Sequence, residues 1–79
     1  MYWVYALKSE ARNYIYVGLT DNIKRRVTQH NSGYEKTTKP YAPFKLIFSE
    51  GFETRQLARE KEIFLKSSTG KRFLRSLIG

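Results

Sequence analysis

Three stretches near the start of the chain decide its fold: Val4-Tyr5-Ala6, Tyr16-Val17-Gly18 and Ile23-Lys24-Arg25-Arg26-Val27-Thr28-Gln29-His30. The first two are rich in valine and tyrosine, which favour strands, and the polar residues between them are typical of a hairpin turn. The third follows side-chain oxygens that can cap a helix, so a helix is predicted from about residue 22 to about residue 31. The sequence therefore predicts a hairpin that leads directly into a basic helix.

The register of this hairpin decides whether Tyr5 and Tyr16 meet. A four-residue loop pairs Lys8 with Asn13 and places the two tyrosines opposite each other on one face, whereas a five-residue loop places them on opposite faces. Both loops are compatible with the sequence. We expect the first arrangement, or a bulge with the same effect, because only then can both hydroxyls reach one phosphate.

The rest of the chain predicts one more strand and two more helices. Residues 44–50 alternate loosely between apolar and polar side chains, which predicts a strand antiparallel to the hairpin. A helix from about Thr54 and, after a break at 67–70, a last helix at 71–78 follow. These helices offer apolar residues to the core: Leu57, Ala58, Phe64, Leu65, Phe73, Leu74, Leu77 and Ile78.

The expected fold class is α/β of the α+β kind, a small three-stranded antiparallel sheet flanked by helices. Residues 2–7 have almost no polar interruption, which predicts a central strand that is covered on both faces. Residues 32–43 contain Gly33, Pro40 and Pro43 and are expected to form an exposed loop. The length of 79 residues predicts a single domain, 1–79.

The charge of the chain points to a polyanionic partner. Fifteen Lys and Arg residues against seven Asp and Glu residues give a formal net charge of +8. A competing interpretation is that the charge only keeps the protein soluble. We expect contact with nucleic acid from five basic residues: Lys24, Arg25, Lys36, Lys39 and Lys66. For the loop that carries Lys36 and Lys39, packing of its tyrosines against the fold is an equally good interpretation.

Several other classes of function are excluded or disfavoured. The chain has no cysteine, so disulfides, zinc knuckles and thiol nucleophiles are excluded. The apolar run at the N-terminus ends at Lys8, which is too short for a signal peptide or a membrane span. We therefore expect a cytoplasmic protein without a membrane partner.

Arg26 and His30 are separated by four residues in the predicted basic helix. At this spacing both side chains lie on one margin of the buried stripe formed by Ile23 and Val27, where they are expected to face a cleft. A guanidinium carries planar paired donors that match a phosphate, and an imidazole can move a proton near neutral pH. Beside two tyrosines, this pair is a plausible arrangement for cleaving phosphodiesters.

In these residues the chain resembles the GIY-YIG nuclease superfamily, which includes the N-terminal domain of the excision-repair incision subunit and certain homing and restriction endonucleases. Val4-Tyr5-Ala6 and Tyr16-Val17-Gly18 correspond to the two triplets, and a helix with an arginine and a histidine follows. Ala58, Glu62 and Lys66 complete the pattern at four-residue intervals. The resemblance covers nearly the whole chain and is greatest to the small single-domain bacterial members. The first triplet departs from the pattern by lacking its leading glycine.

The resemblance implies a role for each of these residues. Tyr5 or Tyr16 would help deprotonate or position the attacking water. Independently of the resemblance, the reference pKa of an imidazole, about 6.5, makes His30 an alternative base. Arg26 would hold the scissile phosphate, with help from His30. Glu62 would ligate one divalent cation, Mg²⁺ or Mn²⁺, which prefers oxygen ligands and keeps most of its waters.

Each of these residues also has a simpler interpretation. The tyrosines can be ordinary strand aromatics, Arg26 a solvated helix charge and His30 a structural hydrogen bonder. Glu62 and Lys66 can form a surface ion pair worth a few tenths of a kcal/mol. Weighing both, we expect a metal-dependent endonuclease that hydrolyses DNA, branched, damaged or single-stranded, in DNA repair or processing. The alternatives are a non-catalytic nucleic-acid-binding module of the same fold and a domain that docks an acidic protein.

Overall fold

The computed structural model of the protein describes residues 1–78, which form a three-stranded antiparallel sheet and three α-helices. In chain order the elements are β1 (Tyr2–Ser9), β2 (Ile15–Thr20), α1 (Ile23–Asn31), β3 (Phe44–Phe52), α2 (Arg55–Lys66) and α3 (Ser68–Ser76). The strand order is β2-β1-β3, so β1 is central and β2 is an edge strand. The predicted fold class is confirmed. That residues 1–79 form one domain stays a prediction.

The central strand β1 divides the core into two layers because successive side chains of a strand point to opposite faces. Val4 and Ala6 pack against α2 and α3 in an aliphatic layer with Ala58, Leu65 and Leu74. On the other face an aromatic layer forms around three buried residues and includes partly buried ones from the hairpin turn, β2 and α1: Tyr5, Leu7, Phe44, Tyr14, Tyr16, Ile23 and Val27. The four residues from Val4 to Leu7 are at most 1% exposed, as expected for a strand covered on both faces.

The hairpin register differs from the predicted one by two residues. Lys8 pairs with Ile15, not with Asn13, and Tyr16 lies opposite Leu7. The connection is longer because Ser9 stays in β1 and its hydroxyl accepts a hydrogen bond from the Arg12 backbone N–H, at 3.0 Å. Since side chains alternate with a period of two, a shift of two keeps Tyr5 and Tyr16 on one face, as expected. Their ring centroids are 6.1 Å apart.

Helix α1 begins and ends close to the predicted residues. The Asn22 side chain caps it by accepting a hydrogen bond from the Arg25 N–H, at 3.0 Å. Its burial differs from the prediction, because Ile23 and Val27 are half-buried whereas His30 is fully buried. The expectation that His30 faces a cleft is therefore wrong, although Arg26 does line one.

The segment 32–43 is more ordered than the predicted exposed loop. Tyr34 is 71% exposed, as expected, but Thr38 is fully buried and precedes a turn of 3₁₀ helix at Lys39–Tyr41. Tyr41 stacks on Tyr14, with ring centroids 3.9 Å apart and planes within 15°. This tyrosine of the loop thus packs against the fold, and Tyr34 is the one that remains open to solvent.

The predicted apolar sides of α2 and α3 are only partly correct. In α2 the buried residues are Ala58, Glu62 and Leu65, whereas Leu57 and Phe64 are 49% and 43% exposed. In α3 Leu74 is buried, but three residues expected in the core are 40–46% exposed: Phe73, Leu77 and Ile78. Ser67 alone separates the two helices, because it ends α2 and caps α3.

None of the helices in residues 1–78 combines the length and hydrophobicity that crossing a bilayer requires.

Candidate active site

A groove follows the edge strand β2 and consists of three adjoining clefts. The end cleft lies between Asn13–Val17 and α3. The central cleft, with a volume of about 550 Å³, lies between Tyr16–Leu19 and α2 and includes Glu62. The arginine cleft lies around Leu19 and Thr20 and includes Arg25, Arg26 and Arg55. Neighbouring clefts share lining residues, and we call the three together the edge groove: Tyr16 lines the first two, and Leu19 and Arg55 line the last two.

A chain of hydrogen bonds runs from the hairpin into the loop after α1. The Tyr5 hydroxyl lies 3.1 Å from His30 Nε2, and His30 Nδ1 lies 2.9 Å from the Thr38 hydroxyl. Because the Thr38 hydroxyl donates to the Glu35 carbonyl, it is free to accept from Nδ1–H. His30 Nε2 is then the acceptor for the Tyr5 O–H. His30 lines none of the three clefts, and its ring centroid lies 6.1 Å from that of Tyr5 and 4.6 Å from that of Tyr16.

The surroundings of this chain keep both Tyr5 and His30 uncharged. Burial raises the pKa of Tyr5 to about 12, although the Arg26 guanidinium acts in the opposite direction. Burial, and then the charge of Arg26, lower the pKa of His30 below its usual 6.5, with Glu35 opposing them. At neutral pH the pair is a phenol that donates to a neutral imidazole.

Gly18 lets the two tyrosines approach the edge of β2. A Cβ atom at this position would lie 2.6 Å from the Tyr5 hydroxyl oxygen and 2.8 Å from a ring carbon of Tyr16. Either distance is far below van der Waals contact, so any larger side chain would displace a ring. Gly18 also lines the central cleft.

Arg26 already has two partners on one nitrogen. Its Nη1 donates to Gln29 Oε1 at 2.7 Å and to Glu35 Oε1 at 2.9 Å. Burial alone would lower the pKa of Arg26, but Tyr5 and Glu35 raise it above the usual value. Its charge is therefore permanent. Glu35 was missed by the sequence analysis, since nine residues and an irregular loop separate it from Arg26.

Glu62 is held in the wall of the central cleft by two cations. Its side chain is 9% exposed and accepts from Arg59 at 2.8 Å and from Lys66 at 3.1 Å. Burial would raise the pKa of Glu62, but these two hydrogen bonds lower it below the usual 4.5, so the group is ionised at neutral pH. Arg55 and Arg59 were not predicted as site residues. Arg55, Arg59 and Glu62 stand at positions i, i+4 and i+7 of one helix, and this spacing indicates that the three side chains share a face.

The donor set of the groove fits a weakly held divalent cation. Within residues 1–78 no three His, Cys, Asp or Glu side chains gather closely enough to form a metal site. Glu62 is one ionised carboxylate beside a water-accessible cleft, which suits Mg²⁺ or Mn²⁺ that keeps most of its waters. Binding there would require Arg59 and Lys66 to share or release the carboxylate oxygens.

The basic residues predicted to contact nucleic acid are spread over two regions. Arg25 lines the arginine cleft and pairs with Asp21 at 2.7 Å, and Lys66 lines the end cleft. Lys24, Lys36 and Lys39 are exposed on α1 and on the loop after it, outside the three clefts. The groove thus gathers Tyr16, Arg26 and Glu62 directly, with Tyr5 and His30 behind its wall.

Comparison with known proteins identifies the class of protein. Residues 1–75 match the GIY-YIG catalytic domain, and the chain belongs to the GIY-YIG family. This family is one of nucleases that generally use a divalent metal, and membership implies a nucleic-acid substrate in general terms.

Within this family the chain is similar to small proteins named UPF0213. It is 36% identical over 70 residues to one from Clostridium perfringens, covering 87% of this chain and 74% of that protein. It is 35% identical over 72 residues to the UPF0213 protein YazA of Bacillus subtilis, covering 90% and 72%. It is 39% identical over 56 residues to a relative from Streptococcus agalactiae, and the matched region covers 70% of this chain and 64% of the relative. The names of these relatives state no activity.

A solved structure supports the fold. The solution NMR structure of a UPF0213 protein from Bacillus halodurans matches with a TM-score of 0.57 and 32% identity, over 98% of this chain and 85% of that one.

Proposed function

We propose that this protein is a metal-dependent endonuclease that hydrolyses DNA phosphodiesters in the edge groove. The observation that carries the proposal is the meeting of Tyr16 and Glu62 in the central cleft. These residues belong to opposite layers of the core, and the groove around the edge strand is where the two layers reach a common surface. A phenol, a carboxylate and several guanidiniums then face one site.

Arginines of the groove are proposed to hold the phosphate. Arg26 and Arg55 both line the arginine cleft, next to the central cleft. A guanidinium matches phosphate oxygens with paired donors and stays charged at any working pH. With Nη1 engaged by Glu35, Arg26 still has N–H groups that can donate to a phosphate.

Tyr16 is proposed to position the attacking water, since it is half-buried and lines the central cleft. Tyr5 is too deeply buried and too weakly acidic to be a resting phenolate. Its hydroxyl lies 3.1 Å from His30 Nε2, so this hydrogen bond holds the Tyr5 ring in place beside Tyr16. His30 and Thr38 are therefore proposed to position Tyr5.

Glu62 is proposed to ligate a single Mg²⁺ or Mn²⁺. When bound, such an ion neutralises charge on the phosphate and acidifies a coordinated water. Arg59 and Lys66 keep the carboxylate ionised and oriented toward the central cleft in the meantime. The proposed substrates are branched, damaged or single-stranded DNA, and the proposed role is DNA repair or processing in the cytoplasm.

One observation favours a second candidate, a DNA-binding module without turnover. Both oxygens of Glu62 are engaged by cations, and Arg26 is paired with Glu35. If these ion pairs persist with DNA bound, the groove would hold the backbone without forming a metal site. Binding without cleavage, weakening steeply as salt rises, would identify this alternative.

The test is a cleavage assay on a plasmid and on a DNA flap with Mg²⁺ or Mn²⁺. Glu62→Gln and Arg26→Ala should each lower the rate by about 100-fold or more, the usual effect of removing a group that stabilises transition-state charge. Lys45→Ala is the control, because Lys45 is exposed on β3, away from the edge groove. Cleavage that survives both site substitutions unchanged would refute this assignment.

A further inference from the structure

The end cleft extends the groove beyond the residues used in the proposed chemistry. We propose that it holds one unpaired DNA nucleotide next to the scissile phosphate, so that the enzyme cuts beside single-stranded DNA in preference to continuous duplex. This inference rests on the proposed function and names the form of its substrate.

The chemistry of the end cleft suits a nucleotide. Ile15, Val17 and Leu74 supply apolar wall, and Lys66, Lys71 and Arg75 supply positive charge. No acidic side chain within residues 1–78 lines it. Tyr14 and Tyr16 also line the cleft and offer aromatic rings on which a base can stack. Aromatic rings beside positive charge bind single strands without reading their sequence.

The size of the end cleft selects an unpaired base. Its volume is about 390 Å³, within the range of roughly 300–1,000 Å³ that is typical of small-ligand sites. A base pair inside a duplex is stacked on both sides and cannot enter such a space. An unpaired base can enter, and it avoids the cost of a few kcal/mol for unpairing and unstacking.

The position of the end cleft places this nucleotide beside the reaction. Tyr16 forms the wall between the end cleft and the central cleft. Lys66 lines the end cleft while its Nζ donates to Glu62, 3.1 Å away. Strand β2 is roughly 17 Å long from Thr20 to Ile15, at about 3.3 Å per residue, so a DNA backbone that lies along it covers the same distance. That length fits a few nucleotides, with one phosphate at the central cleft.

The cationic wall is fixed in place by the packing of α3. Gly70 lies so close to α2 that a Cβ atom would overlap the Phe64 carbonyl and the Leu65 backbone. Lys71 and Arg75 are one helical turn apart, so they share the side of α3 that faces the cleft. Arg75 Nη1 donates to Asn13 Oδ1 at 3.0 Å, which links this wall to the hairpin.

The experiment compares DNA binding by the full chain, without divalent metal, at one salt concentration. The probes are a fluorescent hairpin duplex with a single-stranded overhang and a blunt duplex of the same number of nucleotides. The Lys71→Ala/Arg75→Ala variant should lose about 10-fold or more in affinity for the overhang probe and much less for the blunt duplex. Arg72→Ala is the matched control, since Arg72 is an exposed cation of the same helix outside the end cleft.

The possible outcomes separate this inference from the proposed function. If the wild type does not prefer the overhang, or if Arg72→Ala has the same effect as the double variant, the inference is overturned even where cleavage occurs. If the overhang preference depends on Lys71 and Arg75 but no DNA is cut, the end cleft stands and the nuclease proposal fails. Circular dichroism of each variant checks that α3 remains folded.

Discussion

The two faces of the sheet are built from different chemistry although β1 supplies residues to both. The aliphatic layer holds Val4, Ala6 and Leu65 against each other, and Glu62 lies at its margin. The aromatic layer instead buries Tyr5 and His30, and their polar atoms are paired with each other and with Thr38. The aliphatic layer is suited to stabilise the fold. The aromatic layer instead contains a buried hydrogen-bond network of Tyr5, His30 and Thr38.

The aromatic layer tolerates its polar groups because each one is satisfied. Within residues 1–78 no buried side-chain nitrogen or oxygen lacks a hydrogen-bond partner. An unpaired buried group would cost about 1–3 kcal/mol, a large fraction of the stability of so small a domain. The comparison therefore predicts that substitutions of the buried aliphatic side chains act mainly on stability, and that substitutions in the Tyr5–His30 network act on activity as well.

The largest expected effect on stability is in the aliphatic layer. Leu65→Ala should lower the free energy of unfolding by about 2–5 kcal/mol, because the fully buried side chain leaves a cavity under β1. Urea denaturation measures the change. Leu57→Ala, in the same helix but at a position that is 49% exposed, should change stability far less. Equal losses for the two variants would contradict the division of the core.

A smaller effect is expected in the aromatic layer. Tyr5→Phe keeps the ring but leaves His30 Nε2 without its donor, which should cost about 1–3 kcal/mol in unfolding free energy. Cleavage should fall by more than this loss of stability explains, so rates are measured at a temperature where the variant is fully folded. A folded variant with the wild-type rate would show that the network is only structural.

The smallest effect concerns the proton on His30. Its folded pKa lies below the unfolded value of 6.5, so the unfolded state binds more protons in that interval. Stability should thus be complete above pH 6.5 and decline as the pH falls from there to the folded pKa. Glu62, with a pKa lowered from 4.5, acts in the same direction at lower pH. Because the chain has one histidine, NMR of its imidazole gives the pKa without ambiguity. A folded value at or above 6.5 would contradict the burial of a neutral ring.

The sequence predicted the hairpin faces better than the hairpin register. Tyr5 and Tyr16 share a face under any even shift, so the prediction survived a two-residue error in the partner of Lys8. The register itself depends on the Ser9 hydroxyl, which holds the turn through the Arg12 N–H. A local hydrogen bond of this kind leaves no periodic signal.

The helical pattern of apolar residues could not predict that His30 is fully buried. A margin position predicts partial exposure, but Thr38 from an irregular loop supplies the partner that makes full burial possible. Periodicity failed in α2 for a related reason. Arg59 and Lys66 satisfy Glu62, so a carboxylate occupies the buried side while Leu57 stays exposed. The periodic pattern therefore misplaced the positions whose burial depends on a hydrogen-bonding partner and not on an apolar side chain.

The central claim is that residues from both layers act together in one site on the edge groove. A double-mutant cycle on the single-turnover rate of DNA cleavage tests it, with Tyr16→Phe, Glu62→Gln and the double variant. Residues that act as a unit give non-additive effects, so the double variant should be no slower than the slower single variant. Two effects that multiply in full would place Tyr16 and Glu62 in separate steps or sites and contradict the account.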